Sequence, residues 1–372
     1  MKFVIDKNVL LEALTNVTRA IGTRTTIPIL NGIKFELTEN GLSLLASDSE
    51  VTITMSIPEK DIKSIEKCGK MIIQSKYILE IVRKMPSDVI NFESVDSSKI
   101  KIYTDNNEYS LNCYDISDYP HISLEESKDP IAIKASTLKS IINETSYAVS
   151  TQEVRPLLTG INLKINGDML ECIATDSYRL AKKNIKLDSY VNTNVNIVIP
   201  GKSISEFEKM INDDEEIIMH TFNNKILFKY KNIQFQTNLL SGTYPDTNHF
   251  IPKEFAYIIN LDLKAFNDAV DRAALLAQSK DKNIVRVSIE DKLMVISSSA
   301  SEIGKTEEKI NIECSNKEKL EVAFSSRYML EALKVIKDDN ILLLINSDDK
   351  PILIKSVKDE SLLELILPVK TY

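Results

Sequence analysis

The chain has 372 residues, 43% hydrophobic and 27% charged, with a net charge of −8; it is too long for one ordinary core and globular in balance, which excludes a disordered chain. No apolar run approaches the about 18 residues of a membrane span, and residues 1–6 reach an acid too early for a secretory signal. The four cysteines, Cys68, Cys113, Cys172 and Cys314, form no CxxC pair, so the expectation is a cytoplasmic protein with reduced thiols and neither a zinc site nor a disulfide framework.

Taken in chain order, one pattern occurs three times. Residues 6–24 carry Leu10, Leu14, Val17 and Ile21 at helical spacing and lead into an alternating strand over residues 33–37. A second helix over residues 76–85 places Tyr77, Ile81 and Met85 on one side, then ends in the turn Pro86-Ser87-Asp88. The second copy has a helix over residues 134–147, with the weaker stripe Leu138, Ile141, Ile142 and Thr145. A strand over residues 161–165, a helix over residues 202–210 (Ile204, Phe207 and, just beyond it, Ile211) and the turn Asn212-Asp213-Asp214 follow. In the third copy the first helix covers residues 262–282 (Leu263, Phe266, Val270, Ala274) and the strand residues 285–289. The second helix covers residues 327–337 (Met329, Leu333, Ile336), before the turn Lys337-Asp338-Asp339.

The register holds: Leu10 to Leu138 is 128 residues and Leu138 to Leu263 is 125, while Gly32 to Gly160 and Asp48 to Asp176 are both 128. A period this long repeats a whole domain rather than a solenoid turn. The fold class is therefore α+β: three domains, at residues 1–125, 126–252 and 253–372, each with two helices packed on antiparallel sheet. Residues 123–130 and 251–254 read as linkers.

Catalytic constellations are missing. His121, His220 and His249 form no HExxH, and no two glycines have the G-x-G spacing. Gly201-Lys202-Ser203 looks like the end of a phosphate loop, but the glycine required five residues earlier is Asn196, so this segment reads as a turn before a helix. The acidic runs at residues 213–216 and 307–308 read as solvated surface. No catalytic residue, metal or cofactor is expected.

Charge is distributed unevenly. The six predicted helices with their flanks sum to +6, which leaves −14 on the remainder. Cationic helices suit sequence-independent contact with phosphates, and an acidic exterior discourages binding elsewhere. On the residues alone two other readings stay open. A repeat-built protein scaffold needs no helix-specific charge, and an enzyme needs a clustered acid–base or metal set.

Several motifs in order resemble the bacterial β sliding clamp family, the β subunit of DNA polymerase III, over the whole length. They are Arg24-Thr25-Thr26-Ile27-Pro28-Ile29-Leu30, Val154-Arg155-Pro156-Leu157-Leu158-Thr159-Gly160 and Ala174-Thr175-Asp176-Ser177-Tyr178-Arg179-Leu180-Ala181. Tyr244-Pro245-Asp246 and the C-terminal Leu365-Ile366-Leu367-Pro368-Val369-Lys370 complete them.

The resemblance implies a head-to-tail homodimer, each chain half of a six-domain ring around duplex DNA. It implies processivity for the replicative DNA polymerase, a clamp loader, and tethering of other replication and repair proteins, with no enzyme activity of its own. Arg24, Arg83, Gln152 and Lys202 are the implied DNA contacts. Tyr109 on one side and Leu275 and Leu276 on the other are the implied dimer interface. A partner-peptide cleft is implied at Thr175, Tyr178, Arg179, Leu180, Pro245, Phe250, Leu365, Leu367, Pro368 and Val369, with Leu158 and Tyr328 as weaker members. Aliphatic and proline walls suit an apolar side chain, and Arg179 is expected to orient polar atoms of the peptide. Two positions depart from the family pattern: Tyr178 stands where many members have histidine, and His249 where some have arginine.

Overall fold

Each repeat begins with a short strand that turns directly into a helix. In the computed structural model, which describes residues 1–22, 27–212, 214–277, 283–300 and 303–370, the helices are α1 (Lys7–Val17), α2 (Ser75–Lys84), α3 (Ala135–Thr145), α4 (Gly201–Glu208), α5 (Leu263–Ala277) and α6 (Ser326–Leu333). Asp6 caps α1 by accepting from the Asn8 N–H at 2.8 Å, and Asp262 does the same for α5 from the Ala265 N–H at 2.7 Å. The first helix stops before the predicted residue 24. The Thr18 hydroxyl bonds back to the Leu14 carbonyl at 2.8 Å, and the chain tightens into a 3-10 turn over Thr18–Ala20. Gly201-Lys202-Ser203 is the first turn of α4 itself rather than a turn before it.

The three acidic turns share one job. The first N–H of the leading helix donates to the carbonyl of the turn that follows the second helix: Lys7 to Asp88, Ala135 to Glu215 and Leu263 to Asp339, each at 2.8 Å. A helix N-terminus leaves its first N–H groups without intrahelical partners, so each repeat closes on itself at this point. In each repeat the opening strand also pairs antiparallel with the strand after the second helix: Lys2–Asp6 with Val89–Ser94, Ile131–Lys134 with Glu216–Thr221, and Tyr257–Asp262 with Asn340–Ile345.

The sheets do not stop where the repeats stop. The chain divides into two compact units, Met1–Ser136 with Ser203–Leu239, and Thr137–Lys202 with Leu240–Tyr372. In the first unit a single 13-stranded sheet passes from the first repeat into the second where Val51–Pro58 pairs with Ile233–Asn238. Its core stacks Phe3 on Phe92 at 4.8 Å and Phe207 on Phe228 at 4.7 Å. In the second unit the long hairpin of Gly160–Thr175 and Arg179–Pro200 joins the third repeat through Leu362–Ile366 in a seven-stranded sheet. A four-stranded sheet and α5 and α6 enclose a core around Phe266, Val270, Phe324 and Met329. An exposed edge strand is a liability, and continuing the sheet across the repeat boundary removes it.

Candidate partner-binding cleft

In the second unit, the end of the hairpin, the C-terminal strand and the loop before the third repeat enclose an apolar cavity of about 640 Å³, a size suited to a short peptide segment. Leu158, Leu180 and Leu365 form its floor and continue into a buried cluster with Ile173, Val198, Tyr244, Leu344 and Leu353. Tyr178 and Phe250, each 62% exposed, stand at the rim with Pro245 and Leu367.

The wall is set by a turn over residues 175–179. The Thr175 hydroxyl donates to the Arg179 carbonyl at 2.6 Å, and the Asp176 carboxylate accepts from the Tyr178 and Arg179 N–H groups at 2.9 and 3.0 Å. Ser177 sits at φ +79°, a left-handed conformation that is costly for serine. The turn holds it with a bond from the Ser177 N–H to the Thr175 hydroxyl at 3.2 Å. Tyr244 reinforces the turn by accepting from the Thr175 N–H at 3.1 Å, and burial drives its phenol well above the usual range.

Arg179 does not play the part expected of it. Its side chain is 6% exposed and its nitrogens are engaged within the chain. Nε bonds Asp176 at 3.1 Å, Nη1 bonds Glu331, and Nη2 donates to the Tyr147 carbonyl at 2.7 Å. The guanidinium also lies over the rings of Tyr147 and Tyr328, at 5.2 and 4.5 Å. Burial pushes the Glu331 carboxyl up, but bonds from Arg179 and Arg327 outweigh it and hold that carboxyl below its ordinary value. Arg179 is a pin beneath the wall, not a free donor for a ligand.

Of the expected cleft residues, Leu158, Thr175, Tyr178, Arg179, Leu180, Pro245, Phe250, Leu365 and Leu367 line the cavity. Tyr328 lies behind it, under Arg179. Pro368 and Val369 are not among the lining residues. The Val369 N–H donates to the Ala323 carbonyl at 2.7 Å, and its side chain borders a separate polar groove with Arg286 and Glu321. The chain turns away after Leu367 because that backbone bond draws it along the neighbouring sheet. Sequence reasoning missed Arg155, Pro156, Leu157, Ser177, Ser241, Thr247 and Pro351. Leu157 had a signal: Gly242, at φ +130°, approaches it so closely that an added Cβ would meet its Cδ1 at 2.9 Å. Pro351 is brought in by the fold alone.

The other expected sites are described only in part. Arg24 lies outside the described residues. Arg83, at the end of α2, is exposed and paired with Glu80; Gln152 and Lys202 are exposed. Tyr109 is 42% exposed on the strand Glu108–Tyr114, and Leu275, near the end of α5, is 67% exposed while Leu276 is half-buried. No group of histidine, cysteine or acid side chains suited to a metal ion occurs among the described residues, and no described helix is long and apolar enough to cross a membrane.

Three copies of one strand–helix unit, joined by sheets that cross the repeat boundaries, define a DNA-clamp subunit. The family descriptions "DNA polymerase III beta subunit" N-terminal, central and C-terminal domain match residues 1–123, 132–246 and 248–370. The chain is 40% identical to the beta sliding clamp of Bacillus subtilis and 35% identical to that of Staphylococcus aureus, with both chains fully covered in each comparison. It superimposes on the sliding clamp structure from Bacillus subtilis with a TM-score of 0.96 at 39% identity, and on the DNA polymerase III beta chain from Streptococcus pneumoniae with 0.96 at 31%, again over 100% of each chain. The chain belongs to the DNA polymerase III beta subunit family, the beta sliding clamps.

Proposed function

We propose that two copies close head to tail into a six-domain ring around duplex DNA and act, without catalysis of their own, as a cytoplasmic processivity factor. In this reading the ring slides on DNA, a clamp loader places it, and the cleft tethers the replicative polymerase and other replication and repair proteins by short peptide segments. The repeats bounded at residues 125 and 252 supply three domains from each chain.

The apolar cleft carries the reading: about 640 Å³ of largely apolar lining is held in place by the fold itself, which lowers the ordering cost of binding. Two open strand edges support closure into a dimer. The strand Glu108–Tyr114 pairs with Gly69–Gln74 only through Cys113 and Tyr114, so among the described residues the Tyr109 end keeps one edge unpaired. The strand Gly304–Asn311 lies at the edge of the four-stranded sheet. An unpaired edge in one copy and another in its partner suit a heterologous interface that closes a ring, with Leu275 and Leu276 as apolar contacts. Arg24, Arg83, Gln152 and Lys202 then serve the DNA through phosphates, without base readout.

The test is topological. The protein is loaded onto nicked circular DNA, and the circle is then cut once. Loss of the protein from cut DNA at moderate salt, with a dimer in sedimentation, is the expected outcome; retention on linear DNA, or a monomer, defeats the ring.

A further inference from the structure

Behind the cleft wall lies a buried carboxyl that the peptide site does not use. Glu364 is on the strand Leu362–Ile366 between two cleft-side neighbours, Leu363 and Leu365, and its own side chain points to the opposite side, as alternation along a strand requires. It is 1% exposed. Its Oε2 accepts from the Tyr147 hydroxyl, and its Oε1 has no hydrogen-bond partner among the described residues. The same Tyr147 receives the Arg179 guanidinium twice, through its carbonyl and against its ring. One continuous path therefore runs from Glu364 through Tyr147 to the pin that fixes the cleft wall. A fully buried carboxyl with an orphan oxygen is costly, and sites that break a local rule in this way are where function is expected.

We propose that Glu364 is a positioning residue of the cleft, acting through Tyr147 to keep Arg179 retracted under the wall and so to set affinity for the partner peptide. This rests on the cleft being the peptide site. The groups facing Glu364 are Tyr147 after α3, Arg179 and Lys183 on the hairpin strand, and Glu144 on α3, with Glu331 of α6 on the far side of Arg179. Burial pushes the Glu364 carboxyl well above its ordinary value; the bond from Tyr147 and the charges of Arg179 and Lys183 oppose this, and Glu144 adds to it. Burial also pushes Tyr147 up, and Glu364 adds to that shift. A neutral Glu364 leaves Arg179 to Asp176 and Glu331.

The sign follows. A raised folded-state pKa means that the native state holds the proton longer than the unfolded one, so this group costs stability increasingly as pH rises from about 4.5 towards its folded value.

The test uses the intact protein and a short apolar–acidic peptide from the C-terminal tail of the replicative polymerase, titrated by calorimetry at pH 6. Glu364→Ala, which leaves the Tyr147 hydroxyl unpaired, is expected to lose at least fivefold in affinity. Glu364→Gln, which keeps a neutral acceptor for that hydroxyl, restores it. If Glu364→Gln binds no better than Glu364→Ala, or Glu364→Ala binds as well as wild type, the proposal is overturned. A Phe250→Ala control reads the site itself. If that variant and both Glu364 variants all bind as wild type, the cleft reading has failed; if only Phe250→Ala weakens binding, the positioning role alone has failed.

Discussion

The same turn is built twice, 128 residues apart, with different contents. In the first repeat the Ser47 hydroxyl donates to the Val51 carbonyl at 3.0 Å, Asp48 accepts from the Glu50 and Val51 N–H groups, and Ser49 sits at φ +82°. In the second, Thr175, Asp176 and Ser177 make the same bonds around Arg179. The backbone device was copied whole. The residues presented differ: Val51 buries into the sheet and pairs with Thr237, whereas Arg179 reaches Glu331 and both tyrosine rings, and Glu50 stands where the second turn has Tyr178. Beside the first turn, Ile29, Leu30 and Ile72 are packed under Tyr114 and Tyr119, with the Tyr119 phenol pushed up to about 12 by burial. Beside the second, Leu157 and Leu158 border an open cavity. The same strained, well-bonded turn therefore carries a buried aliphatic side chain in one copy and a pinned guanidinium at a cavity wall in the other.

The largest expected contrast comes from removing each payload. Arg179→Ala leaves Asp176 and Glu331 without their buried partner and is expected to cost about 3–5 kcal/mol, along with most peptide affinity. Val51→Ala loses only apolar burial, about 1.5 kcal/mol. Hydrogen exchange at amides beside each turn separates the two, since one melting temperature does not describe a chain of several domains. Equal losses at the two turns would remove the distinction drawn here.

The rims should differ next. By offset from the Tyr-Pro pairs, Phe250 corresponds to Glu125. Phe250→Ala is expected to weaken the polymerase-tail peptide about tenfold, or about 1.4 kcal/mol, without loss of folding because the ring is 62% exposed. Glu125→Ala should leave peptide affinity unchanged in the same calorimetry, and a matching loss in both variants would locate binding elsewhere.

Acid sharpens the contrast further. Glu331 has a lowered pKa, so its contribution is complete above the ordinary value of about 4.5 and disappears as pH falls through the lower folded value. Peptide affinity is expected to be insensitive to Glu331 from pH 7 to 5 and to fall a few-fold below that, with Glu331→Gln showing its deficit already at pH 7. A wild-type loss centred near pH 6 would implicate a different group. Among the described residues the first turn presents Val51 rather than a cation pinned by carboxylates, and it should stay protected from exchange over the same range.

The smallest effects belong to DNA. Each phosphate contact removed should lower the salt dependence of binding by about 0.9 in log–log slope. Lys202→Ala is expected to approach that value, while Arg83→Ala, whose guanidinium is shared with Glu80, should fall short of it. Filter binding of loaded circles across a salt series checks both, and no change for either variant would take these cations off the DNA path.

Much of this was legible in the residues. Apolar spacing located six helices, because periodicity is a local property, although α1 ends at Val17 rather than near residue 24 and the far end predicted for the fifth helix, residues 278–282, lies outside the described residues. The 128-residue offset aligned Asp48 with Asp176. The C-terminal segment shows where local reading stops: residues 365 and 367 line the cleft, but Pro368 and Val369 leave it, because a bond to Ala323 decides the path. The sequence by itself determined the repeat, the faces of its helices and the turn chemistry, all of which depend on neighbours a few positions away. Tertiary structure alone decided which strand edges join across repeats and whether a cation is free or pinned. Arg179 meets Glu331 across 152 residues of chain, and no spacing rule encodes such a pairing: once the apolar faces have packed, the buried charge must take the acid they bring beside it.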